Sequence, residues 1–371
     1  MNADTFSRRR VRPLWVLLVM MAALVLLLAP VGCSRRATPK LTATQAPKVV
    51  QPTVTLLPKP TSSGIPVVLT VDNVVGLKPV ARAEMAYPYQ PHWAPDGSEV
   101  SIRGEGSVQM YQGDLRQMTA NVELDGYTLL DHTPAHSWMA VTTDQQTIEI
   151  RDMKTGELAR TIQPGGLVYT AAFSPDGRNL AVGLSNNWVA EVYDLETESP
   201  PLVFSGFQTA APVYSIQYSA DGKELIWTAR GSVQTMDLET GEFSMELAHE
   251  DSVQSLASAP NGALLATAAA GTINIEFVPM INLWTPAEGM PLGVLLPGEA
   301  VPAALTFSPD ASLLAAGSGN TIQVYDTTSQ TLLAQFEGGG DAVTGLAFSP
   351  DGISLVSTTA DGSITLWQVV P

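Results

Sequence analysis

A five-residue turn motif recurs along most of this chain and constrains its fold more than any other feature. The clearest copies read FSPDG, at residues 173–177 and 348–352. Measured between their third residues, successive copies are 39, 41, 45, 40, 49 and 41 residues apart. This spacing indicates one supersecondary unit that is repeated seven times. The third residues of the copies are Pro95, Pro134, Pro175, Ala220, Pro260, Pro309 and Pro350.

The motif has the composition of a tight turn between two antiparallel strands. Proline sets φ near about −65° at the first corner, and Asp or Asn bonds to its own backbone. Glycine then supplies the left-handed conformation, and His136 takes this place in the second copy. The first residue of most copies is aromatic, and we expect it to pack between neighbouring sheets. This position holds Trp93, His132, Phe173, Tyr218, Ser258, Phe307 and Phe348.

A second column of residues follows the first and ends a predicted strand in each unit. The strands alternate or carry β-branched residues, as in TIQVYD at 321–326, which is typical of half-buried β-structure. Asp follows the column residue in four units, at Asp152, Asp194, Asp237 and Asp326. The column itself consists of Tyr111, Arg151, Tyr193, Met236, Trp284, Tyr325 and Trp367.

With these two columns the chain resembles WD-repeat proteins, whose blades end their third strand on Trp-Asp or a related pair. The resemblance covers residues 66–371 and implies an all-β, seven-bladed β-propeller. This chain departs from the family in having no Trp-Asp pair and no Gly-His pair, for which AHED at 248–251 is the nearest equivalent. Propellers of the periplasmic translocation-protein type share the SPDG turns, so the subfamily stays open.

The seventh unit predicts how such a ring closes. It supplies three strands, at residues 343–348, 354–358 and 364–369, and the exposed side of the third would be a hydrophobic edge. Natural proteins pair, cover or charge such edges. We therefore expect residues 66–73, PVVLTVDN, to supply the fourth strand of the last blade.

Charge and cysteine content exclude several classes of function. The 371 residues carry 36 acidic and 19 basic side chains, a net charge of −17, which argues against a nucleic-acid partner. Cys33 is the one cysteine, so neither an internal disulfide nor a thiolate metal cluster can form within the chain.

The amino-terminal residues predict export and membrane attachment. Arg8 to Arg12 give a basic start, and an apolar run from Leu14 to Ala29 follows, as in a signal sequence. Residues 1–32 resemble a bacterial lipoprotein signal, which implies lipidation of Cys33; an uncleaved anchor and ordinary secretion remain alternatives. Residues 33–65 are rich in Pro and Thr and predict a disordered linker. These features place the rest of the chain on the extracytoplasmic side of a cell membrane.

The sequence contains no motif of a catalytic, cofactor or metal site. Nucleophile elbows, phosphate loops and paired metal ligands do not occur, so we expect no cofactor. We assign His92 and His132 to packing beside the aromatic column. His249 is expected to cap a strand connection.

The fifth unit alone carries an insertion. Pro260 and Trp284 are 24 residues apart, whereas the other units need 16 to 18. Residues 271–275 resemble a third strand, and EFVPM at 276–280 precedes the strand that ends at Trp284. Family resemblance implies that this loop lies on the face commonly used for partners. The candidate contact is an apolar knob of Phe277, Val278, Pro279 and Met280; a bulge or lengthened hairpin packed on its own domain is the alternative.

The function we expect is non-enzymatic. A membrane-tethered propeller would bind another protein or an envelope component through its loops. An enzyme or small-ligand sensor would instead need inward polar residues that converge on the central channel from different blades. An accessory role in envelope assembly or translocation is a third alternative.

Overall fold

The computed structural model describes residues 65–185, 189–204, 215–229, 231–273, 276–286 and 290–370. The predicted signal segment 1–32, Cys33 and linker residues 33–64 lie outside these ranges. All described residues belong to one compact unit that spans 45–371. Among them, no helix has the length and apolar character that crossing a membrane requires.

Seven four-stranded antiparallel sheets form a β-propeller, as the repeat predicted. In each blade, strand a lines the central channel and strands b, c and d follow outward. Blades 1 to 3 comprise β2 (Tyr89–Trp93), β3 (Glu99–Gly104), β4 (Ser107–Gln112), β5 (Met118–Glu123); β6 (Thr128–Thr133), β7 (Trp138–Thr142), β8 (Ile148–Asp152), β9 (Leu158–Ile162); β10 (Val168–Phe173), β11 (Asn179–Leu184), β12 (Ala190–Asp194) and β13 (Leu202–Phe204).

The remaining four blades repeat this order, and the last takes its outer strand from the start of the domain. Blades 4 to 6 comprise β14 (Ser215–Tyr218), β15 (Glu224–Ala229), β16 (Ser232–Asp237), β17 (Phe243–Ala248); β18 (Ser255–Ser258), β19 (Leu265–Ile273), β20 (Glu276–Thr285), β21 (Met290–Leu295); β22 (Ala304–Phe307), β23 (Leu313–Ser318), β24 (Thr321–Asp326) and β25 (Thr331–Glu337). Blade 7 comprises β26 (Val343–Phe348), β27 (Ser354–Thr359), β28 (Ser363–Gln368) and β1 (Lys78–Glu84).

An amino-terminal strand closes the ring, but it is not the segment that the sequence predicted. β1 pairs antiparallel with β28, from Lys78 opposite Gln368 to Glu84 opposite Ser363. The prediction that residues 66–73 form this strand was wrong. Their pairing beside the end of β28 is limited to one isolated bridge between Val67 and Val369. β1 alternates buried and exposed residues, with Ala81 and Ala83 inside. The inward residues are alanines, whose short side chains give only a weak hydrophobic pattern between Pro79, Arg82 and Glu84.

Residues 65–77 cover the end of blade 7 instead of extending it. Leu69 donates its backbone N–H to the carbonyl of Gly352 at 2.8 Å, and its side chain is buried. A short 3₁₀-helix, Val74–Gly76, follows, and Val74 is buried in the same apolar cluster as Trp367. This apolar content explains why the segment resembled a strand.

The repeated motif forms the a–b turn of each blade as predicted. In blade 3, Ser174 donates its hydroxyl to Asp176 at 2.6 Å, and the same carboxylate accepts the backbone N–H of Arg178 at 3.1 Å. The glycine adopts a positive φ in five blades, and Ala311 takes φ 62° in blade 6. In blade 2 the left-handed residue is Ser137, at φ 55°, and not His136.

The aspartates that follow the second column close the c–d turns on the same face. Asp152 accepts the backbone N–H groups of Lys154 and Thr155 at 2.8 and 2.7 Å. Asp237 and Asp326 accept equivalent pairs of bonds. Such bonds let an acidic side chain replace a missing backbone partner in a turn, which accounts for the Asp that follows the column residue.

The aromatic column packs between blades, as expected. Phe173, Tyr218, Phe307 and Phe348 are all buried. Trp93 joins the two ends of the ring, because its indole N–H donates to the carbonyl of Ala347 in blade 7 at 3.1 Å. Closure therefore combines the β1–β28 pairing with direct contact between blades 7 and 1.

Candidate functional site

The hairpin between strands b and c of blade 5 is longer than its counterparts. β19 has 9 residues and β20 has 10, whereas strands b and c of the other blades have five or six. Pairing continues without a bulge from Leu265 opposite Trp284 to Ile273 opposite Glu276. We call residues 271–273 and 276–280 the hairpin tip.

The insertion is thus a lengthened hairpin rather than an added strand. The prediction that residues 271–275 begin the third strand was wrong, since Gly271 to Ile273 continue strand b. A run of small residues, LATAAAG at 265–271, carries no turn signal before Gly271. The start of strand c was therefore predicted several residues too early in the sequence.

Apolar side chains of the hairpin tip lie on both of its faces. Cross-strand partners share a face, so Phe277 and Pro279 lie on one side and Val278 and Met280 on the other. The Phe277 side chain is 74% exposed, whereas Val278, Pro279 and Met280 are half-buried. Phe277 is consequently the residue of the predicted knob that solvent reaches most.

Met280 packs back on its own hairpin. A Cβ atom at Gly271 would lie 2.6 Å from the Met280 sulfur, so the side chain occupies the space above that glycine. Ile273, 39% exposed, extends the apolar surface at the end of strand b. The predicted knob of four residues is therefore one exposed aromatic ring beside a partly self-packed apolar strip.

A partly buried hydrogen-bond chain anchors the base of this blade. The Trp284 indole N–H donates to the Thr267 hydroxyl at 3.0 Å, and that hydroxyl lies 2.7 Å from His249 Nε2. His249 Nδ1 lies 3.2 Å from the carbonyl of Leu247, and a carbonyl only accepts, so Nδ1 carries the proton and Nε2 accepts. Burial lowers the pKa of His249. The expected role of His249 in a strand connection is confirmed, with this added contact to the blade core.

A second candidate site is the central channel, a cavity of about 950 Å³ lined by strand a of all seven blades. In most blades, the strand-a residue just before the aromatic column lines this channel, and these residues lie at the same level in neighbouring blades. At this position lie His92, Asp131, Ala172, Gln217, Thr306 and Ala347.

Blades 1 and 2 bring three metal-ligand side chains together on the channel wall. His92, Asp131 and His132 each offer a ligand atom, and these atoms lie within 4.8 Å of one another. The two imidazole rings stack with centroids 4.6 Å apart and planes 9° from parallel. The expected packing of both histidines is confirmed, and the structure adds Asp131 beside them.

Backbone groups orient two members of this cluster. His92 Nδ1 lies 2.8 Å from the carbonyl oxygen of His132, which fixes the ring and its tautomer. Asp131 accepts the backbone N–H of Phe173 in blade 3 at 2.7 Å. His132 is fully buried, and neither of its ring nitrogens has a hydrogen-bond partner among the described residues.

Arg103 supplies the positive charge next to this cluster. Its guanidinium donates to the carbonyl of Leu129 at 2.5 Å and to the Gln90 side chain at 3.2 Å, and it lies over the Tyr89 ring. Burial raises the pKa of Asp131, while His92 and Arg103 oppose that rise. Burial also lowers the pKa of His132.

One feature of the sequence indicates a polar cluster at this place. His132 occupies a column that is aromatic in five of seven units, and a polar residue at a buried position is more informative than an apolar one. His92 and Asp131 occupy equivalent positions in neighbouring units, so blade geometry alone places them side by side.

Comparison with known proteins matches the repeats to two families. Residues 106–283 match the family described as "Nucleolar protein 10-like, N-terminal domain". Residues 294–326 and 330–368 match "WD domain, G-beta repeat".

Several curated proteins are similar over more than half of this chain. The chain is 27% identical over 253 residues to "Target of rapamycin complex subunit wat1" of Schizosaccharomyces pombe, which covers 64% of this chain and 77% of that protein. It is 27% identical over 225 residues to "Serine-threonine kinase receptor-associated protein" of Dictyostelium discoideum, covering 60% and 73%. "WD repeat-containing protein 90" of Xenopus tropicalis is 28% identical over 61% of this chain, but this chain covers 11% of its length.

Proposed function

Since this chain carries WD repeats in a β-propeller domain, we propose that it is a scaffold that binds a protein partner on the extracytoplasmic side of a membrane. The observation that carries this proposal is the blade-5 hairpin, at whose tip Phe277 is 74% exposed. An exposed aromatic group beside other apolar groups is typical of an interaction surface.

The hairpin is suited to contact because its base is rigid. The Trp284–Thr267–His249 chain holds strands b and c to the preceding connection, and Ile281 and Leu283 are fully buried below the tip. A partner that covers Phe277 would thus meet a residue whose backbone is paired in a β-hairpin rather than an unpaired loop, which lowers the entropy cost of binding.

Repeat architecture and similar proteins support a scaffold role. WD-repeat propellers are a protein-interaction type of fold, and two similar proteins are named as a complex subunit and as a receptor-associated protein. Membrane tethering is supported by the sequence: a basic start, the apolar run from Leu14 to Ala29 and Cys33. In this proposal the lipid or anchor holds the propeller at the membrane while the blade-5 hairpin faces a protein or envelope component.

Affinity capture with crosslinking from native membranes tests the proposal, using the tagged full chain and Phe277→Ser. Leu202→Ser is the matched control, because Leu202 is 58% exposed in the outer strand of blade 3. We expect one protein in stoichiometric amount with the wild type and with Leu202→Ser. Phe277→Ser should weaken its binding by about 2 kcal/mol, roughly thirtyfold.

Two outcomes would count against parts of this proposal. Equal capture by both variants would remove the hairpin as the contact, and no specific capture by any form would remove the scaffold role. Fractionation of Cys33→Ser tests the lipid: we expect loss of that variant from the membrane fraction, and its retention there would contradict attachment through Cys33.

Small-ligand binding in the central channel is a second candidate function. It is favoured by the convergence of His92, Asp131 and Arg103 on one side of the cavity. Polar side chains that converge on the channel from different blades are what an enzyme or small-ligand sensor requires.

A further inference from the structure

We propose that His92, Asp131 and His132 form a binding site for a divalent transition metal of the zinc type on the wall of the central channel. The three ligand atoms come from strand a of blades 1 and 2 and lie within 4.8 Å of one another. Two imidazoles and one carboxylate are ligands that zinc and its neighbours accept, with a further coordination position left open.

The His92 ring is already oriented as a metal ligand needs. Its Nδ1 lies 2.8 Å from the carbonyl oxygen of His132, and a carbonyl only accepts, so the proton is on Nδ1. Nε2 is therefore the ring nitrogen left to bind a metal. Histidine ligands commonly donate their second nitrogen in this way, which fixes the tautomer and ring orientation.

Asp131 is held by a comparable outer contact. One carboxylate oxygen accepts the backbone N–H of Phe173 at 2.7 Å, and the carboxylate keeps further lone pairs with which it can coordinate an ion. Ligating carboxylates are commonly hydrogen-bonded through their second oxygen. Outer contacts from blades 2 and 3 therefore orient two of the three ligands before any ion binds.

The buried ring of His132 supports the metal site independently of His92 and Asp131. Its side chain is 0% exposed, and both ring nitrogens lack a hydrogen-bond partner among the described residues. Burying polar atoms without a partner costs free energy, and buried polar groups are normally satisfied. A metal bond to one nitrogen would remove this cost at the place where His92 and Asp131 also offer ligands.

Binding requires a limited movement of side chains. Ligand atoms of a tetrahedral zinc site, with bonds of about 2.0–2.1 Å, lie about 3.3 Å apart. The separation of up to 4.8 Å must therefore shrink, and the stacked rings must tilt toward a common point at their edge. His92 and Asp131 are half-buried beside the channel, so they have room for this rotation.

Charge near the site both favours and opposes a cation. Asp131 contributes a negative charge, while the Arg103 guanidinium is held nearby by the carbonyls of Leu129 and Leu130. An imidazole that binds the ion through a nitrogen lone pair is neutral and does not add to the repulsion. The bound ion would join blade 1 to blade 2, and its open coordination position would face the channel. An anionic small molecule in the channel would be attracted by both the ion and the Arg103 guanidinium.

Co²⁺ is the probe for this site, because zinc has no visible absorption and Co²⁺ in a His/carboxylate site does. The full chain is titrated with CoCl₂ in detergent, followed by ZnCl₂ as competitor. We expect one Co²⁺ per chain and its displacement by Zn²⁺. His92→Gln and Asp131→Asn should each weaken Co²⁺ binding at least about tenfold.

His136→Gln is the matched control, since His136 belongs to the same blade and is exposed. This variant should bind Co²⁺ as the wild type does. Circular dichroism confirms that each variant is folded, and the half-buried positions 92 and 131 are chosen because fully buried His132 tolerates less change. No Co²⁺ absorption at millimolar metal, or equal affinity in His92→Gln and the wild type, would overturn the proposal.

Discussion

Gly352 occupies the corner of the first hairpin in blade 7, where φ is 71°. A side chain there is strained, and its Cβ would also lie 3.4 Å from Val68. We predict that Gly352→Ala lowers the free energy of unfolding by about 1–2 kcal/mol, the cost of the left-handed region for an L-residue. Urea denaturation measures this loss.

Gly76→Ala is the control for that substitution. Its φ is not in the left-handed region, and a Cβ would meet Val369 at an ordinary 3.6 Å. The change in its unfolding free energy should stay within about 0.5 kcal/mol. Equal losses in the two variants would show that backbone strain is not the cause.

His249 gives the domain a pH dependence whose sign follows from burial. Its pKa lies below the ordinary value of 6.5 when folded, so the unfolded chain binds this proton first. Proton uptake then accompanies unfolding, and stability is lost as pH falls below about 6.5. Protonating Nε2 also removes the acceptor for Thr267.

We therefore predict that the wild type loses more stability between pH 7.5 and pH 5.5 than His249→Gln does. Thermal melts at both pH values measure this difference, and His136→Gln, an exposed histidine, should match the wild type. The prediction fails if His249→Gln shows the same decrease as the wild type.

Among the elements, β1 completes the sheet of blade 7 by pairing with β28. Ala83 is 1% exposed in the apolar cluster between blades 7 and 1, whereas the adjacent Arg82 is exposed. We predict that Ala83→Asp destabilises the propeller by about 3 kcal/mol or more, because an unpaired charge is buried.

Arg82→Asp is the matched control, since it places the same side chain on the exposed face of the same strand. Guanidinium unfolding should show less than about 0.5 kcal/mol of change for this variant. Similar losses in both variants would contradict the inward position of Ala83 and the closure register that places it there.

The blade-5 hairpin shows what a sequence predicts about an element and what it does not. The insertion itself was visible, because repeat spacing does not depend on side-chain contacts. The distribution of Phe277 and Met280 over opposite faces was not, since it depends on the strand register, and a shift of one residue exchanges the faces. The turn motif was predicted well because its Pro, Asp and Gly act locally.

At the scale of the whole molecule, the seven-bladed ring followed from the repeat, whereas its closure and its channel site required coordinates. Residues 66–73 resembled a strand because Leu69 and its neighbours are apolar, and the tertiary structure uses them as a cover instead. His92 and Asp131 are about 40 residues apart in sequence and meet only when the blades are arranged around the channel.

The pairing of β1 with β28 also bears on how the chain folds. Lys78 lies opposite Gln368, so this contact closes a loop that includes nearly the whole domain, and such non-local pairings form slowly. Before β1 pairs with β28, Ala81 and Ala83 have no sheet to cover, and β28 forms an open edge of blade 7. We therefore expect this pairing to form late in folding, and an unpaired strand edge that persists until then promotes aggregation.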